Sequence, residues 1–171
     1  MGAWVIVADA NLLIYRFVQG TKTELAQQVS ARDDDWIVPP LWRDEFSNAL
    51  AMTVRRAGLT LEQAMSIYSQ ADSLLSSRER RASMGDALRL SVAHTISVYD
   101  AEYVVLAQSK QIRLVTEDTE LLRKFPETAV SMSDFVGPEH GKHLVRERGV
   151  PYGSPRPRTV AKRNRSGRAA A

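Results

Sequence analysis

Residues 4–8 read Trp-Val-Ile-Val-Ala without one polar position, and Asp9 follows at once. A run this short and β-branched, lacking apolar–polar alternation, describes a strand buried on both faces, the condition of a central strand in a parallel sheet. Residues 11–18 then place Leu13, Ile14, Phe17 and Val18 at spacings that suit one helical face. The opening unit is therefore strand, acid, helix.

The remaining pattern repeats that alternation. A helix is expected over 23–31 and a second buried strand at Trp36, Ile37 and Val38, stopped by Pro39 and Pro40. A helix beginning near Leu41 should end at Gly58, where glycine tolerates a left-handed cap. Thr60 with Gln63 three residues later forms a capping box for a helix to about Leu75. The polar, Arg-containing stretch 76–83 leads to a helix over 86–95. A helix over 100–111, a strand over 113–116 and a helix over 118–125 close the domain, with an edge strand at 129–131. Short connections between alternating strands and helices specify an α/β fold, a mainly parallel sheet covered on both faces.

Charge divides the chain in two. Residues 1–135 carry 14 basic and 18 acidic side chains, a net −4, whereas residues 136–171 carry 9 and 2, a net +7. With 171 residues and 44% hydrophobic content, the sequence predicts one domain over 1–136 and a basic, flexible tail over 137–171. That tail reads equally as a nucleic-acid contact or as a solvating terminus. No apolar run approaches the roughly 20 residues of a membrane span, so a soluble, cytoplasmic protein is expected. The absence of cysteine excludes disulfides, thiolate metal sites and a thiol nucleophile.

Four acids carry the chemical argument. In an open α/β sheet, ligands bind in the crevice beyond the carboxyl ends of the strands. Asp9 and Asp118 each lie at such an end, and Asp100 is expected at the first residue or N-cap of its helix. Glu45 lies one turn into the helix that follows the second strand. Asp44 stands beside it, but Leu41, Ala49 and Met52 share helical spacings with Glu45, which is the choice made. Carboxylates about 4 Å apart repel by roughly 1 kcal/mol per pair in water and about 4 at an effective dielectric near 20. A divalent cation removes that conflict, and an all-oxygen donor set selects Mg²⁺ or Mn²⁺ over zinc. Such a site supports metal-assisted phosphodiester hydrolysis. Asn11 could orient a water or cap the first helix; Glu117 and Glu120 read as solvated, and the run Asp33, Asp34, Asp35 as an exposed loop. His94, His140 and His143 have no ligand-like partners in the sequence.

The stretch 7–15, Val-Ala-Asp-Ala-Asn-Leu-Leu-Ile-Tyr, resembles the opening of a PIN domain. Residues 97–107, Ser-Val-Tyr-Asp-Ala-Glu-Tyr-Val-Val-Leu-Ala, followed by 114–118, Leu-Val-Thr-Glu-Asp, resemble its second half. Over about residues 4–135 the chain is similar to VapC-type toxin ribonucleases of type II toxin–antitoxin systems. The resemblance implies a PIN-like three-layer α/β/α sandwich and a metal-dependent endoribonuclease with Asp9, Glu45, Asp100 and Asp118 as catalytic acids and metal ligands. Thr116 matches a hydroxyl residue that helps hold the site. Mg²⁺ or Mn²⁺ as cofactor, RNA as substrate, a cognate antitoxin and a homodimer are implied in the same way. A non-catalytic RNA- or protein-binding module and a DNA-cleaving relative are the competing readings. A phosphate-accepting receiver is disfavoured, because Asp9 lacks a neighbouring acid and no Lys follows the last strands in the required place.

Overall fold

The computed structural model describes residues 5–137. Trp4 and the whole segment 138–171, with the proposed basic tail, His140 and His143, lie outside the described residues. Four parallel strands, β1 (Val5–Ala8), β2 (Asp35–Ile37), β3 (Arg113–Val115) and β4 (Ala129–Val130), form one sheet in the order β2-β1-β3-β4. β1 is central, pairing Ile6 with Trp36 on one side and Val7 with Leu114 on the other. From β1 the chain turns outward to β2, whereas β3 and β4 lie on β1's opposite edge. The strand order therefore reverses between β1 and β3, and a crevice opens there at the strands' carboxyl ends.

The helices are α1 (Ala10–Phe17), α2 (Thr23–Arg32), α3 (Trp42–Arg55), α4 (Leu61–Leu75), α5 (Met84–His94), α6 (Val98–Lys110), α7 (Thr119–Lys124) and α8 (Met132–Val136). Successive strand residues serve opposite layers. Ile6, Ala8, Trp36, Val38 and Val115 pack with Leu12, Leu13, Val29, Trp42, Phe46 and Phe135 in one core. Val7, Ile37 and Leu114 pack with Tyr103, Leu106, Leu121 and Phe125 in the other. This is the three-layer α/β/α sandwich expected. A parallel bridge from Val38 to Glu79, after a 3-10 turn at Ser76–Arg78, covers the outer edge of β2. Among the described residues no helix is long and apolar enough to cross a membrane.

Several boundaries differ from expectation. α5 and α6 begin earlier than expected because Ser83 and Ser97 cap them, accepting from the backbone N–H of Asp86 and Asp100. The same Ser-x-x-Asp pattern, Ser131 with Asp134, starts α8, a helix the hydrophobic pattern did not announce. α3 stops at Arg55, and the left-handed residue behind it is Ala57 at φ 57°, one position before Gly58. The expected capping box of α4 is present in both directions, Thr60 with Gln63.

Candidate active site

The crevice between β1 and β3 is lined by their first downstream residues. Asp9 ends β1's exit and caps α1, its Oδ1 accepting from the Ala10 N–H at 2.7 Å. Its Oδ2 accepts from Asn11 Nδ2 at 2.7 Å and from the Thr116 hydroxyl. Thr116, fully buried at the end of β3, also accepts from the Asp118 N–H at 3.0 Å. Asn11 Oδ1 in turn accepts from the Glu117 N–H at 3.2 Å, so one amide clips the β1 exit to the β3 exit. Asn11 does not cap α1, since Asp9 does, and its side chain is spent on that clip.

Asp118 caps α7, with Oδ1 accepting from the Glu120 and Leu121 N–H groups. Asp100 is the third residue of α6 rather than its cap, and its Oδ2 accepts from the Ser97 hydroxyl at 2.6 Å. Glu45 is half-buried on α3 while neighbouring Asp44 is exposed. Glu45 Oε2 accepts from the Tyr103 hydroxyl at 2.7 Å.

Electrostatics place the four acids in one field. Asp9, only 9% exposed, has its carboxyl pushed up to about 6 by burial, with Asp100 and Asp118 adding to the rise and the bonds from Thr116 and Ala10 opposing it. Glu45 is pushed up to about 7, again chiefly by burial; the Tyr103 bond opposes this and the charges of Asp9 and Asp100 reinforce it. Asp100 is raised by burial, then by Asp118 and Glu120, against the bonds from Ser97. Among the described residues none of the four acids is in an ion pair; Lys and Arg pair instead with Glu117, Asp72, Glu79, Asp35, Asp86 and Glu120.

An all-oxygen set of mutually repelling acids without a cationic partner suits a hard divalent ion. Among the described residues, however, no three acidic or histidine side chains already stand in the arrangement of a metal-binding cluster. The donor chemistry fits such an ion.

Sequence reasoning misread two acids, one of them away from the site, and missed one partner of a site acid. Glu117 is not solvated: its side chain is 18% exposed, pairs with Lys22 at 2.5 Å and accepts from the Met132 N–H, tying the β3 exit to α2 and α8. Asp33 is buried, its Oδ1 accepting from the Asp35 N–H, so the acidic run is not wholly exposed. Tyr103 carries the bond to Glu45, and its only sequence signal was its place in the stretch after Asp100.

A doubly covered parallel sheet with acids at its switch point is consistent with a PIN-like fold. No protein-family model matches the chain. It is similar to Ribonuclease VapC3 of Pyrobaculum aerophilum, with 27% identity over 124 residues that span 71% of this chain and 95% of the relative. The crystal structure of PAE2754 from Pyrobaculum aerophilum superposes with a TM-score of 0.62 at 22% identity, covering 80% of this chain and 96% of that one. The first likeness upholds the VapC-type PIN-domain resemblance read from the sequence, and the second supports its fold.

Proposed function

We propose that the chain is a Mg²⁺- or Mn²⁺-dependent endoribonuclease, the toxin of a toxin–antitoxin pair, that hydrolyses RNA phosphodiester bonds. The observation that carries this reading is that Asp9, Glu45, Asp100 and Asp118 share one electrostatic field at the sheet's switch point with, among the described residues, no cation paired to them. Similarity to a protein named Ribonuclease VapC3 supports RNA as the substrate class.

Asp9 and Asp100 are assigned as principal ligands, with Glu45 and Asp118 completing the shell or orienting water. A hard dication bound there would polarise water and offset the charge that grows on a phosphodiester. The chain's own contribution is placement. Thr116 and Asn11 hold Asp9, and the α7 amides hold Asp118, each through neutral donors that fix a carboxylate without cancelling its charge. The partners assigned are RNA, a cognate antitoxin and a second copy. Met84, Leu88 and Val92 recur every fourth residue, all exposed on α5, which supports a surface covered in an assembly.

The test is cleavage of RNA by the purified chain with Mg²⁺ or Mn²⁺, compared with Asp100→Asn. Activity should vanish while the circular dichroism spectrum is retained; cleavage that survives in a folded variant refutes the mechanism. A second reading is a PIN-like module that binds RNA or protein without cutting, favoured by the finding that among the described residues no three acids already stand as a metal-binding cluster. RNA binding that persists in EDTA, with no cleavage under either metal, would establish that alternative.

A further inference from the structure

Tyr103 is the largest polar side chain in the core that contains Val7 and Leu114, and is 1% exposed. Its ring packs with Val7, Leu106, Leu114 and Leu121, yet its hydroxyl reaches out of that apolar layer to Glu45 Oε2 at 2.7 Å. Among the described residues this is the sole hydrogen bond that joins α3 to α6. Among the described residues it is also the sole hydrogen bond of the Glu45 carboxylate, with no partner there for Oε1.

Position along α6 gives the bond its meaning. Tyr103 lies three residues after Asp100, so the two occupy neighbouring places on one helical face. Ser97, three residues before Asp100, holds that carboxylate from the other side. One helix thus fixes its own acid through Ser97 and a foreign acid through Tyr103. Without the phenol, Glu45 would hang from α3 on a side chain with three rotatable bonds, repelled by Asp9 and Asp100, and would swing away from them. A buried phenol needs a partner, but any backbone carbonyl would satisfy it; here it instead engages an acid of the crevice.

Resting on the nuclease reading above, we infer that Tyr103 is a positioning residue that clamps Glu45 through Oε2, so that Oε1 is presented toward Asp9 and Asp100 for a divalent cation. Groups that orient ligands in this way change metal affinity or turnover by about 10- to 100-fold when removed. Phenylalanine at 103 keeps the ring and its packing and deletes only the clamp.

The experiment compares wild type with Tyr103→Phe in two assays: thermal unfolding titrated with MnCl₂ alone, and cleavage of a fluorescent single-stranded RNA across Mn²⁺ concentrations. The variant should need about 10-fold or more Mn²⁺ for half-maximal thermal stabilisation. Its kcat should fall while KM for RNA stays unchanged, because the clamp touches no substrate. In a Glu45→Ala background the same substitution should have no further effect on the Mn²⁺ midpoint. Equal Mn²⁺ midpoints, or equal absence of any shift, overturn the positioning role even where the wild type cleaves RNA. A wild type that cleaves nothing overturns the nuclease reading, and the thermal titration still decides the clamp. Should Tyr103→Phe fail to fold, 3-fluorotyrosine installed at 103 serves instead: it is near-isosteric and a stronger donor, and an unchanged midpoint refutes the inference.

Discussion

Asp9→Asn in metal-free protein isolates what the crevice costs the fold. Burial lifts the Asp9 carboxyl from its ordinary 3.8 to about 6 in the folded chain. The folded state therefore holds this proton more tightly than the unfolded state does. Its contribution to stability is fully present below pH 3.8, declines as pH rises, and is lost above about 6. The difference corresponds to about 3 kcal/mol of penalty at pH 7.5, and about 0.5 kcal/mol at pH 4. Asparagine never carries that charge. It can still accept from the Ala10 N–H, but it cannot accept from both Asn11 and Thr116 as Oδ2 does, a loss of about 1–2 kcal/mol. That loss is the same at both pH values, so the comparison removes it. Urea unfolding in EDTA should show the stability of Asp9→Asn relative to wild type improving by about 2 kcal/mol between pH 4 and pH 7.5. For a domain of this size that is about 7 °C in Tm. An identical difference at both pH values would refute the claim that Asp9 is strained by its own charge.

Other outcomes follow from the same geometry. Saturating Mg²⁺ should reverse the order at pH 7.5, stabilising wild type by about 2.7 kcal/mol at 100 times its Kd and Asp9→Asn far less, read by thermal shift. Thr116→Val removes the hydroxyl that donates to Asp9 and accepts from the Asp118 N–H; denaturation should show a loss of about 1–3 kcal/mol, and RNA cleavage should drop with it. Ala57→Gly relieves a left-handed residue at φ 57° and should raise stability by up to about 1 kcal/mol, with cleavage unchanged. Trp42→Ala, at a fully buried position stacked on Tyr68, should cost about 3–5 kcal/mol by chemical denaturation.

Local pattern carried much of the fold. Residues 5–8 and 113–115 are strands because their runs are too apolar for anything but a doubly covered sheet, and that was legible. The strand order was not: nothing in the residues of β3 states that it lies beside β1 rather than β2, because that depends on which helices fit over which face. Helix starts were misjudged wherever Ser-x-x-Asp outranked the apolar period. For Asp100 this moved a residue expected at the helix's edge to its first turn. Glu117 was misread because an acid after a strand looks solvated until α2 brings Lys22 and α8 brings the Met132 N–H to it, contacts 95 and 15 residues away in the chain. Ala57 shows the converse: a left-handed turn usually selects glycine, yet here the Ala57 and Gly58 N–H groups close onto Val54 and Thr53.

Every acid of the crevice is held by neutral donors: amides and a hydroxyl for Asp9, the Ser97 hydroxyl for Asp100, a phenol for Glu45, two backbone N–H groups for Asp118. A lysine in any of these places would neutralise a carboxylate and stabilise the chain, but it would also occupy the position a cation needs. Neutral donors orient oxygens while leaving the charge uncompensated. On the proposed reading the chain is therefore less stable near neutral pH when alone than its core allows, and would recover that stability on binding a dication. The proposed reading predicts that conditions which protonate Asp9 and Glu45 weaken cation binding and raise metal-free stability together, since protons and a cation would compete for the same oxygens.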